Sequence, residues 1–394
     1  MSFRLNIGIV CYPTYGGSGV VATELARYLA RIGHNIHVIS YDFPVRMPAY
    51  DPNITFHAVS PTDYAVFRDV PYAISLASKC AEVAEEFELE ILHVHYAVPH
   101  AVSGYLARAM LKDKHPIKLV TTLHGTDITL VGSDPSYYSI VKFAIEESDA
   151  VTAVSHHLAD ETADKFDIAR PIEVIYNFIN PSDFKQTAEG KRLKRVLAPN
   201  GERLICHVSN FRPVKRAYDA VEIYARLKCA ENIKLLMVGD GVEMPHVWSR
   251  VRELGLEGSV HFLGNRGDVY RILEVCDALL MPSELESFGL AALEAMAAGC
   301  AIVCTTVGGL PEVVTPQCGF LHEVGDIDGM AESVCRLLNE PHLLGEMQEN
   351  ARKRAVTEFD IRAKVAQYIN CYKRLVGKSE PFGPEYRTAR HLSD

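Results

Sequence analysis

The sequence predicts an α/β protein built from two doubly wound, Rossmann-like domains that face each other across a cleft. Three observations support this prediction. Short apolar segments alternate with amphipathic segments along almost the whole chain. A polar, basic stretch at Asn180–Asn200 interrupts the alternation near the middle. The chain has 394 residues, which is more than one ordinary hydrophobic core accommodates.

In the first half, short apolar strands are separated by amphipathic helices. This order is typical of a parallel sheet that is covered on both faces. The predicted strands lie near Leu5–Val10, Ile36–Ser40, Ile91–His95, Lys118–Leu123, Ala150–Val154 and Glu173–Ile175. The predicted helices lie near Val20–Ile32, Pro71–Phe87, Val98–Lys112 and Ser136–Glu146.

The second half repeats the same alternation, and from about Pro341 onward the pattern is helical with little strand. The predicted strands lie near Arg203–Val208, Ile233–Val238, Val260–Leu263, Ala278–Met281 and Ala301–Cys304. The predicted helices lie near Ala217–Cys229, Met244–Leu254 and Leu290–Ala298. We interpret the polar stretch at 180–200 as the connection between the two domains.

Charge and hydropathy narrow the class of protein. The net charge of −10 argues against broad nucleic-acid binding and against docking on anionic membranes. Residues 1–190 contain 14 basic and 23 acidic residues, so the first half carries most of this charge. No apolar run reaches 18 residues, and the first residues enter a strand-like segment without a charged leader. We expect a cytoplasmic protein without stable membrane association.

Cysteine and histidine spacing gives no sign of a metal site. The ten cysteines show no CxxC pattern, and many lie in apolar runs, so we expect buried, reduced thiols. Cys11 lies beside a glycine loop, where a buried thiol is favoured over a redox switch. His93, His95 and His100 have no nearby carboxylate or thiol in the sequence to complete a metal site.

Ligands of open parallel sheets bind beyond the carboxyl ends of the strands, so the loops there indicate the site. After the first strand, PTYGGSGVV contains Gly16, Gly17 and Gly19, which favour close backbone approach and an anion at a helix N-terminus. HVHYAVPH carries Tyr96 at a strand end, and TTLHGTD groups His124 with further polar residues. Ser155 of the SHH segment is expected to be a structural helix N-cap.

Two loops of the second half favour a nucleotide sugar. SNFRPVKR holds Arg212 and Lys215 directly after a buried strand, which suits a diphosphate. In ESFGLAALEAMAAG, Gly289 permits close approach at a helix N-terminus that stabilises an anion. Glu294, one turn into that helix, is suited to ribose hydroxyls, and Glu286 before it is suited to sugar hydroxyls.

Together these motifs resemble the retaining glycosyltransferases of family 4, which have the GT-B fold. The resemblance rests on Glu286-x7-Glu294 within ESFGLAALEA, on SNFRPVK and on the glycine pair of the first loop, and it covers nearly the whole chain. Within the family, the segments GGSGVV, ILHVHYAVPH, VTTLHGTDIT, VTAVSHHL, IYNFI and HVSNFRPVKR resemble bacterial enzymes that open bacillithiol synthesis. Those enzymes transfer N-acetylglucosamine from UDP to a hydroxyl of L-malate.

The resemblance implies a role for each matched residue. Catalysis is expected of His124, Arg212, Lys215 and Glu286. The UDP-N-acetylglucosamine donor is expected to bind at Gly17, Arg212, Lys215, Phe288, Gly289, Leu290 and Glu294. The L-malate acceptor is expected to bind at Ser18, Tyr96, Thr122 and Asn177, with Gly17 nearby.

The resemblance also implies a front-face reaction with retention at the anomeric carbon, without a metal or other cofactor. The alternative function is that of a family 4 enzyme with another small or glycan acceptor. A UDP-sugar 2-epimerase and a nucleotide-binding regulator are more distant alternatives. The sequence leaves the oligomeric state open, and a homodimer is one option.

The expected domain organisation follows from the alternation and the resemblance. Residues 1–185 form the acceptor domain and residues 186–358 the nucleotide-sugar domain. The resemblance implies that a helix at 359–378 packs back on the first domain. Residues 379–394 form a polar tail whose composition is typical of poor order.

Overall fold

The computed structural model describes residues 3–14, 16–60, 71–185, 187–227 and 232–377. The end of the helix predicted to reach Cys229 and the predicted tail at 379–394 lie outside the described residues. The described part forms two parallel sheets, each flanked by helices, and this architecture confirms the predicted fold class.

The N-terminal sheet is entirely parallel and has the order β3-β2-β1-β4-β5-β6-β7. The chain thus winds outward from β1 in one direction and then from β4 in the other, as in a doubly wound fold. The strands are β1 (Asn6–Val10), β2 (Asn35–Ser40), β3 (Ile54–Ala58), β4 (Ile91–His95), β5 (Lys118–Leu123), β6 (Ala150–Ala153) and β7 (Glu173–Val174).

Six helices precede the second sheet, and the first five of them connect strands of the N-terminal sheet. They are α1 (Gly17–Arg31), α2 (Tyr72–Glu86), α3 (Val102–Leu111), α4 (Pro135–Glu146), α5 (His156–Phe166) and α6 (Ala188–Leu197). Helix α3 begins later than predicted, because an irregular turn at Ala97–Ala101 precedes it. That turn includes Pro99, which is unfavourable within a regular helix.

The C-terminal sheet is also parallel, with the order β10-β9-β8-β11-β12-β13. Its strands are β8 (Arg203–Val208), β9 (Ile233–Val238), β10 (Val260–Gly264), β11 (Ala278–Met281), β12 (Ala301–Thr305) and β13 (Gly319–His322). Its helices are α7 (Ala217–Ala225), α8 (Met244–Glu253), α9 (Val269–Leu273), α10 (Leu290–Ala298), α11 (Leu310–Val313), α12 (Ile327–Asn339), α13 (Pro341–Glu358) and α14 (Ile361–Leu375).

The last helix, α14, returns to the N-terminal domain, as expected. Val365, Ile369 and Tyr372 pack in one buried cluster with residues of β1 and α1. The Tyr372 hydroxyl also hydrogen-bonds Nδ1 of His93 on β4 at 2.7 Å. A second apolar cluster runs without interruption from the N-terminal domain into the C-terminal domain. The two domains therefore share packed surface as well as a cleft.

Six elements of the described part of the chain were not predicted from the sequence: strands β3 and β13 and helices α6, α9, α11 and α12. Strand β3 was not predicted, because it is a half-exposed edge strand without a continuous apolar run. The polar stretch predicted as a plain connection contains helix α6, in which Gly190 is the buried residue. Thr187 caps this helix by accepting a hydrogen bond from the Gly190 amide at 2.9 Å. The predicted domain boundary at 185/186 stays a prediction.

The described cysteines are mostly buried free thiols: Cys11, Cys80, Cys206, Cys276, Cys300, Cys304, Cys318 and Cys371. Burial raises the pKa of Cys11 to about 12, so its reactive thiolate form is suppressed near neutral pH. Cys335 departs from the expectation of reduced thiols, since it is disulfide-bonded. None of the helices in the described part of the chain combines the length and apolar character needed to cross a bilayer.

Candidate active site

The N-termini of two helices, one from each domain, meet in the cleft. Helix α1 starts at Gly17 and helix α10 starts at Leu290, and neither start is capped by a side chain. A Cβ added at Gly17 would lie 3.4 Å from Leu290 Cδ2, so the two helix ends are in near contact. Uncapped amides at the positive ends of two helix dipoles form a favourable position for an anion.

The glycine of the ESFG segment is required by the local packing at the start of α10. Gly289 has φ +92°, and an added Cβ would overlap Leu310 Cδ2. Phe288 is buried beside it and contacts the rings of Tyr176 and Phe359. The predicted donor residues Phe288, Gly289 and Leu290 are thereby held in one rigid turn at the start of α10.

A buried ion pair lies at the C-terminal side of the cleft. Lys215 Nζ donates to Glu286 Oε1 at 2.7 Å, and Ser283 Oγ donates to the same oxygen at 3.0 Å. Glu286 is only 7% exposed, so the pair works in a region of reduced dielectric constant. The structure thus brings together two residues that the sequence places 71 positions apart.

Arg212 is exposed at the same loop, and it has no ion pair within the described part of the chain. The segment has unusual backbone geometry, with Phe211 at φ +41° and Arg216 at φ +48°. Left-handed geometry at residues other than glycine is strained and is concentrated at functional sites. This strained turn carries Arg212 and Lys215 at the cleft. Burial raises the pKa of the Tyr96 hydroxyl, and the charge of Arg212 acts in the opposite direction.

The His124 loop of the N-terminal domain lies against the Glu286 loop of the C-terminal domain. Gly125 has φ +110°, and an added Cβ would overlap Ser287 Oγ. Only glycine permits this contact between the two loops. His124 and Glu286, each adjacent to one of the touching residues, are therefore brought to the same part of the cleft.

His124 is held by a second histidine. His95 Nδ1 and His124 Nε2 are 2.8 Å apart, and their rings are stacked. Burial, together with the neighbouring imidazole of His100, lowers the pKa of His124 to about 3. Burial likewise lowers the pKa of His95 well below its ordinary value. The pair is therefore neutral at pH 7, and one imidazole donates to the other.

The acceptor residues predicted at Ser18 and Tyr96 are in contact. The Tyr96 hydroxyl donates to Ser18 Oγ at 2.9 Å and so connects the end of β4 to the start of α1. Tyr96 has φ +91°, which turns the chain sharply after the strand. The ring of Tyr96 also lies against that of His124, with centroids 5.4 Å apart.

Thr122 and Asn177 lie below the surface. The Thr122 hydroxyl is within hydrogen-bond distance of His93 Nε2 at 2.6 Å and of Thr152 Oγ1 at 2.7 Å, and Thr122 has no exposed surface. This placement favours a supporting role over direct contact with an acceptor. Asn177 is 6% exposed, and its Oδ1 has no hydrogen-bond donor among the described residues. The acceptor roles of both residues stay predictions.

Glu294 lies within the first turns of α10 and is 8% exposed. Its carboxylate accepts a hydrogen bond from Arg46 of the N-terminal domain at 3.0 Å. The sequence analysis did not predict this contact, since the two residues are 248 positions apart.

Asp127 also supports the site without having been predicted to do so. Its carboxylate accepts hydrogen bonds from the amides of Ala97 at 2.8 Å and of Gly125 at 3.0 Å. It thereby ties the turn after Tyr96 to the turn after His124. Burial raises the pKa of Asp127 to about 6, against the lowering effect of these amides. The TTLHGTD motif contained this signal, because an aspartate after a tight turn commonly accepts from backbone amides.

The start of α5 joins the two domains. Ser155 caps the helix as predicted, since its Oγ accepts from the Leu158 amide at 3.1 Å. The same hydroxyl donates across the cleft to the Ser287 carbonyl at 2.6 Å. Glu312 of the C-terminal domain accepts from the amides of His156 and His157, each at 2.9 Å. These contacts fix the separation of the two loops that carry the site.

The histidine set of β4 is engaged in hydrogen bonds and ring stacking rather than grouped for a metal. His93 and His95 stack with centroids 4.6 Å apart, and His100 donates through Nδ1 to the His95 carbonyl. Across the described residues, no group of three or more His, Cys, Asp or Glu has an arrangement that could hold a metal ion.

Comparison with known proteins identifies the family. Residues 15–183 match the family described as Glycosyltransferase Family 4, and residues 190–354 match the family described as Glycosyl transferases group 1. The chain is 45% identical over 370 residues to N-acetyl-alpha-D-glucosaminyl L-malate synthase of Bacillus anthracis, covering 94% of this chain and 97% of that protein. The chain belongs to glycosyltransferase family 4.

Solved structures of low sequence identity agree on the fold of this family 4 glycosyltransferase. Anabaena Alr3699/HepE, in complex with UDP and glucose, has a TM-score of 0.79 at 20% identity, covering 93% of this chain and 99% of that one. Sucrose-phosphate synthase from Thermosynechococcus elongatus has a TM-score of 0.78 at 20% identity, covering 95% and 100%. At this identity the likeness extends to the two-domain fold alone.

Proposed function

We propose that the protein transfers N-acetylglucosamine from UDP-N-acetylglucosamine to the hydroxyl of L-malate, with retention, as the first step of bacillithiol synthesis in the cytoplasm. The observation that carries the proposal is the 45% identity to the Bacillus anthracis synthase over nearly the full length of both chains. The residue set of the cleft supports it, because it combines an anion position with neutral hydrogen-bonding groups.

On the donor side, the diphosphate binds between the N-termini of α1 and α10. Lys215 and Arg212 offset the negative charge that builds up on the leaving UDP, and the Gly17, Gly289 and Leu290 amides assist. Glu294 holds the ribose. Glu286 and the Phe288–Gly289 backbone contact the N-acetylglucosamine.

On the acceptor side, malate binds beside the Ser18–Tyr96 pair, at the start of α1. The unpartnered Oδ1 of Asn177 is an acceptor for a hydroxyl. His124 is neutral, so it adds no charge beside the sugar and orients its reacting face by hydrogen bonding. Because malate is a dianion and the first half of the chain is acidic, the uncapped α1 amides and Arg212 supply the local attraction.

The reaction proceeds at the front face of the sugar. The bond between the anomeric carbon and the diphosphate oxygen breaks with its electron pair going to UDP, and the malate oxygen forms the new bond on the same face. The proton of the malate hydroxyl passes to the departing phosphate oxygen. Catalysis then consists of positioning and charge stabilisation by Lys215 and Arg212, without a metal.

The test is a product assay in the presence of a chelator. The purified protein is incubated with UDP-N-acetylglucosamine, with and without L-malate, and products are followed by mass spectrometry. A malate-dependent glycoside with equal release of UDP is the expected result, and its anomeric configuration by NMR tests retention. UDP-sugar binding without a malate-dependent product would refute the acceptor and direct a screen of other hydroxy acids. Loss of activity in chelator would refute the metal-free reaction.

A further inference from the structure

An ion pair joins the two domains at the proposed ribose position. Arg46 lies in the segment after β2 of the N-terminal domain, and its Nη2 is 3.0 Å from Oε1 of Glu294 on α10. The side chains are 23% and 10% exposed, respectively. An ion pair so far removed from solvent is less screened than one at the surface, and the loss of one partner leaves a buried charge uncompensated.

Arg46, which makes this contact, has an unusual backbone conformation. Arg46 has φ +67°, which is left-handed geometry in a residue with a long side chain. Such geometry is strained in residues other than glycine and persists where the surroundings determine it. Glycine adopts such a conformation without strain. Here the strained residue is the one whose side chain reaches Glu294.

A cavity of about 300 Å³ opens at this ion pair. The N-terminal domain lines it with Val20 and Val21 of α1 and with Arg46, and the C-terminal domain lines it with Tyr270 and Glu294. Its volume lies at the lower end of the range for small-molecule sites. A nucleoside that reaches Glu294 from this cavity therefore contacts walls from both domains.

Arg46 also affects the net charge of the cavity wall. Three carboxylates line the cavity, those of Glu24, Asp183 and Glu294. Burial acts to lower the pKa of Arg46, but Glu294, Glu24 and Asp183 together raise it above its ordinary value. Arg27 also lines the cavity, so removing Arg46 would leave three carboxylates facing one guanidinium, and this excess of negative charge is unfavourable for the anionic diphosphate that follows the nucleoside.

The geometry of the carboxylate leaves room for a ligand. Arg46 occupies Oε1 of Glu294, whereas Oε2 has no hydrogen-bond donor among the described residues. We propose that Arg46 is a positioning residue that holds the Glu294 carboxylate ready for the ribose hydroxyls, so that a residue of the N-terminal domain completes the nucleoside site of the C-terminal domain. The inference rests on the proposed function in taking Glu294 as the ribose ligand.

The contact has a consequence for domain closure. Arg46 reaches Glu294 at the present separation of the domains, and opening the cleft would separate them. Nucleoside affinity is therefore coupled to closure, and closure brings Lys215 and His124 into one site. By reciprocity, a bound nucleoside favours the closed form to the same extent.

The experiment measures the dissociation constant of UDP alone by calorimetry, so it requires neither malate nor turnover. Arg46→Met removes the charge and keeps the length, and we expect UDP to bind about ten-fold more weakly. Arg46→Lys keeps the charge but not the planar fork, so its loss should be smaller. Arg108→Met is the matched control, because Arg108 is equally exposed at 23% and pairs with Asp149 at 2.9 Å but does not line this cavity. It should bind UDP like the wild type.

A double-mutant cycle with Glu294→Gln separates this inference from the donor assignment. If Glu294→Gln leaves UDP binding unchanged, the proposed donor site is wrong. If Glu294→Gln weakens binding but Arg46→Met matches Arg108→Met, or binds UDP more tightly, the inference is overturned. We expect the variant with both substitutions to bind UDP no more weakly than the single variant that binds it less tightly. If the fold-losses of the two single variants instead multiply, Arg46 acts independently of Glu294. If circular dichroism shows that Arg46→Met is unfolded, Arg46→Lys replaces it in the same cycle with the same criteria.

Discussion

The two sheet edges that meet in the cleft hold their polar groups in different ways. On the N-terminal side, the side-chain contacts of the predicted site residues are between neutral groups, His95 with His124 and Ser18 with Tyr96, beside the buried carboxylate of Asp127. On the C-terminal side, the contacts involve charge, with Lys215 paired to Glu286 and Arg212 exposed beside them. Both sheets have the same winding, so the difference arises from the loops and not from the fold.

The difference fits the division of labour in the proposed reaction. The leaving nucleoside diphosphate gains negative charge, which cations stabilise best in a site shielded from water. The acceptor hydroxyl needs orientation, which neutral donors and acceptors provide without adding charge. A cleft between two domains lets one protein combine both environments within the reach of a single sugar.

The largest effect is expected from removing the cation of the C-terminal side. Lys215→Met should lower kcat by about 100- to 1,000-fold, because a preorganised group that stabilises developing charge contributes about 3–4 kcal/mol. Steady-state kinetics with UDP-N-acetylglucosamine and malate would measure this loss. Lys234→Met is the control, since Lys234 pairs with Glu202 at 3.0 Å elsewhere in the same domain. A kcat within two-fold of the wild type for Lys215→Met would remove the catalytic role.

The second-largest loss of kcat is expected from disturbing the contact between Gly125 and Ser287, which brings the two sheet edges together. Gly125→Ala should lower kcat by about 100-fold, because its Cβ would overlap Ser287 Oγ and displace His124 from Glu286. Gly33→Ala is the matched control, with a similar φ of +101° and no atom within 4 Å of its Cβ. It should lose stability without losing turnover.

Adding Ser287→Gly to Gly125→Ala removes the overlapping side chain and should restore part of the activity. Equal losses of kcat in Gly125→Ala and Gly33→Ala would instead mean that backbone strain, and not the loop contact, is responsible.

A smaller and more selective effect is expected on the neutral side. Tyr96→Phe removes the hydroxyl that donates to Ser18, and it should raise the KM for malate about five- to ten-fold. The KM for UDP-N-acetylglucosamine should stay within about two-fold, because this hydroxyl is not part of the charged side. Tyr105→Phe on α3 is a control, since the Tyr105 ring packs against Phe143 and Arg108 and not against these loops. An equal rise in both KM values would contradict the division between the two edges.

The smallest effect on turnover, and a distinct effect on stability, comes from the buried histidines of the N-terminal domain. Burial lowers the pKa of His34, His37 and His100 to about 4, and that of His93 and His124 to about 3. These values lie below the ordinary value of 6.5, so the unfolded chain binds protons first as the pH falls. The stability that these neutral histidines contribute is complete above pH 6.5 and is lost progressively towards pH 4.

Far-UV circular dichroism and the fluorescence of Trp248 compare the N-terminal domain, which contains these five histidines, with the C-terminal domain, where burial lowers the pKa of His207 to about 4. Trp248 is the single tryptophan and lies on α8 of the C-terminal domain. At pH 7.5 the two urea transitions should lie close together. At pH 5 the circular dichroism should change at lower urea than the fluorescence, because the N-terminal domain loses stability first. Coincident transitions at both pH values would show that the histidines do not distinguish the domains.

Much of the fold could be predicted from periodicity. Strands β4, β5, β8, β9 and β11 and helix α10 have the predicted bounds, because each is a buried run with clear end signals. The edge strands β3 and β13 and helices α6, α9, α11 and α12 were missed. Strand β3 and helix α6 have no strong apolar pattern, whereas α12 buries Met330, Val334 and Leu337 at a spacing that does indicate a helix. The local sequence pattern predicts an element well where burial requires apolar residues at a regular spacing. It predicts an element poorly where most of the residues face solvent.

The sequence by itself determined which residues could form a site. Strand ends followed by glycine, histidine, arginine or lysine indicated the loops, and ESFGLAALE indicated a helix N-terminus suited to an anion. These are local properties, set by backbone geometry and side-chain chemistry within a few residues.

Only the tertiary structure decided which of these residues touch. It paired Lys215 with Glu286 and Arg46 with Glu294, and it enclosed Thr122 within the core. It also gave Ser155 and Glu312 their roles between the domains. The physical reason is that such contacts depend on the packing of the two sheets against each other. That packing is determined by many apolar side chains together, so the sequence around a polar residue does not indicate which distant residue it contacts.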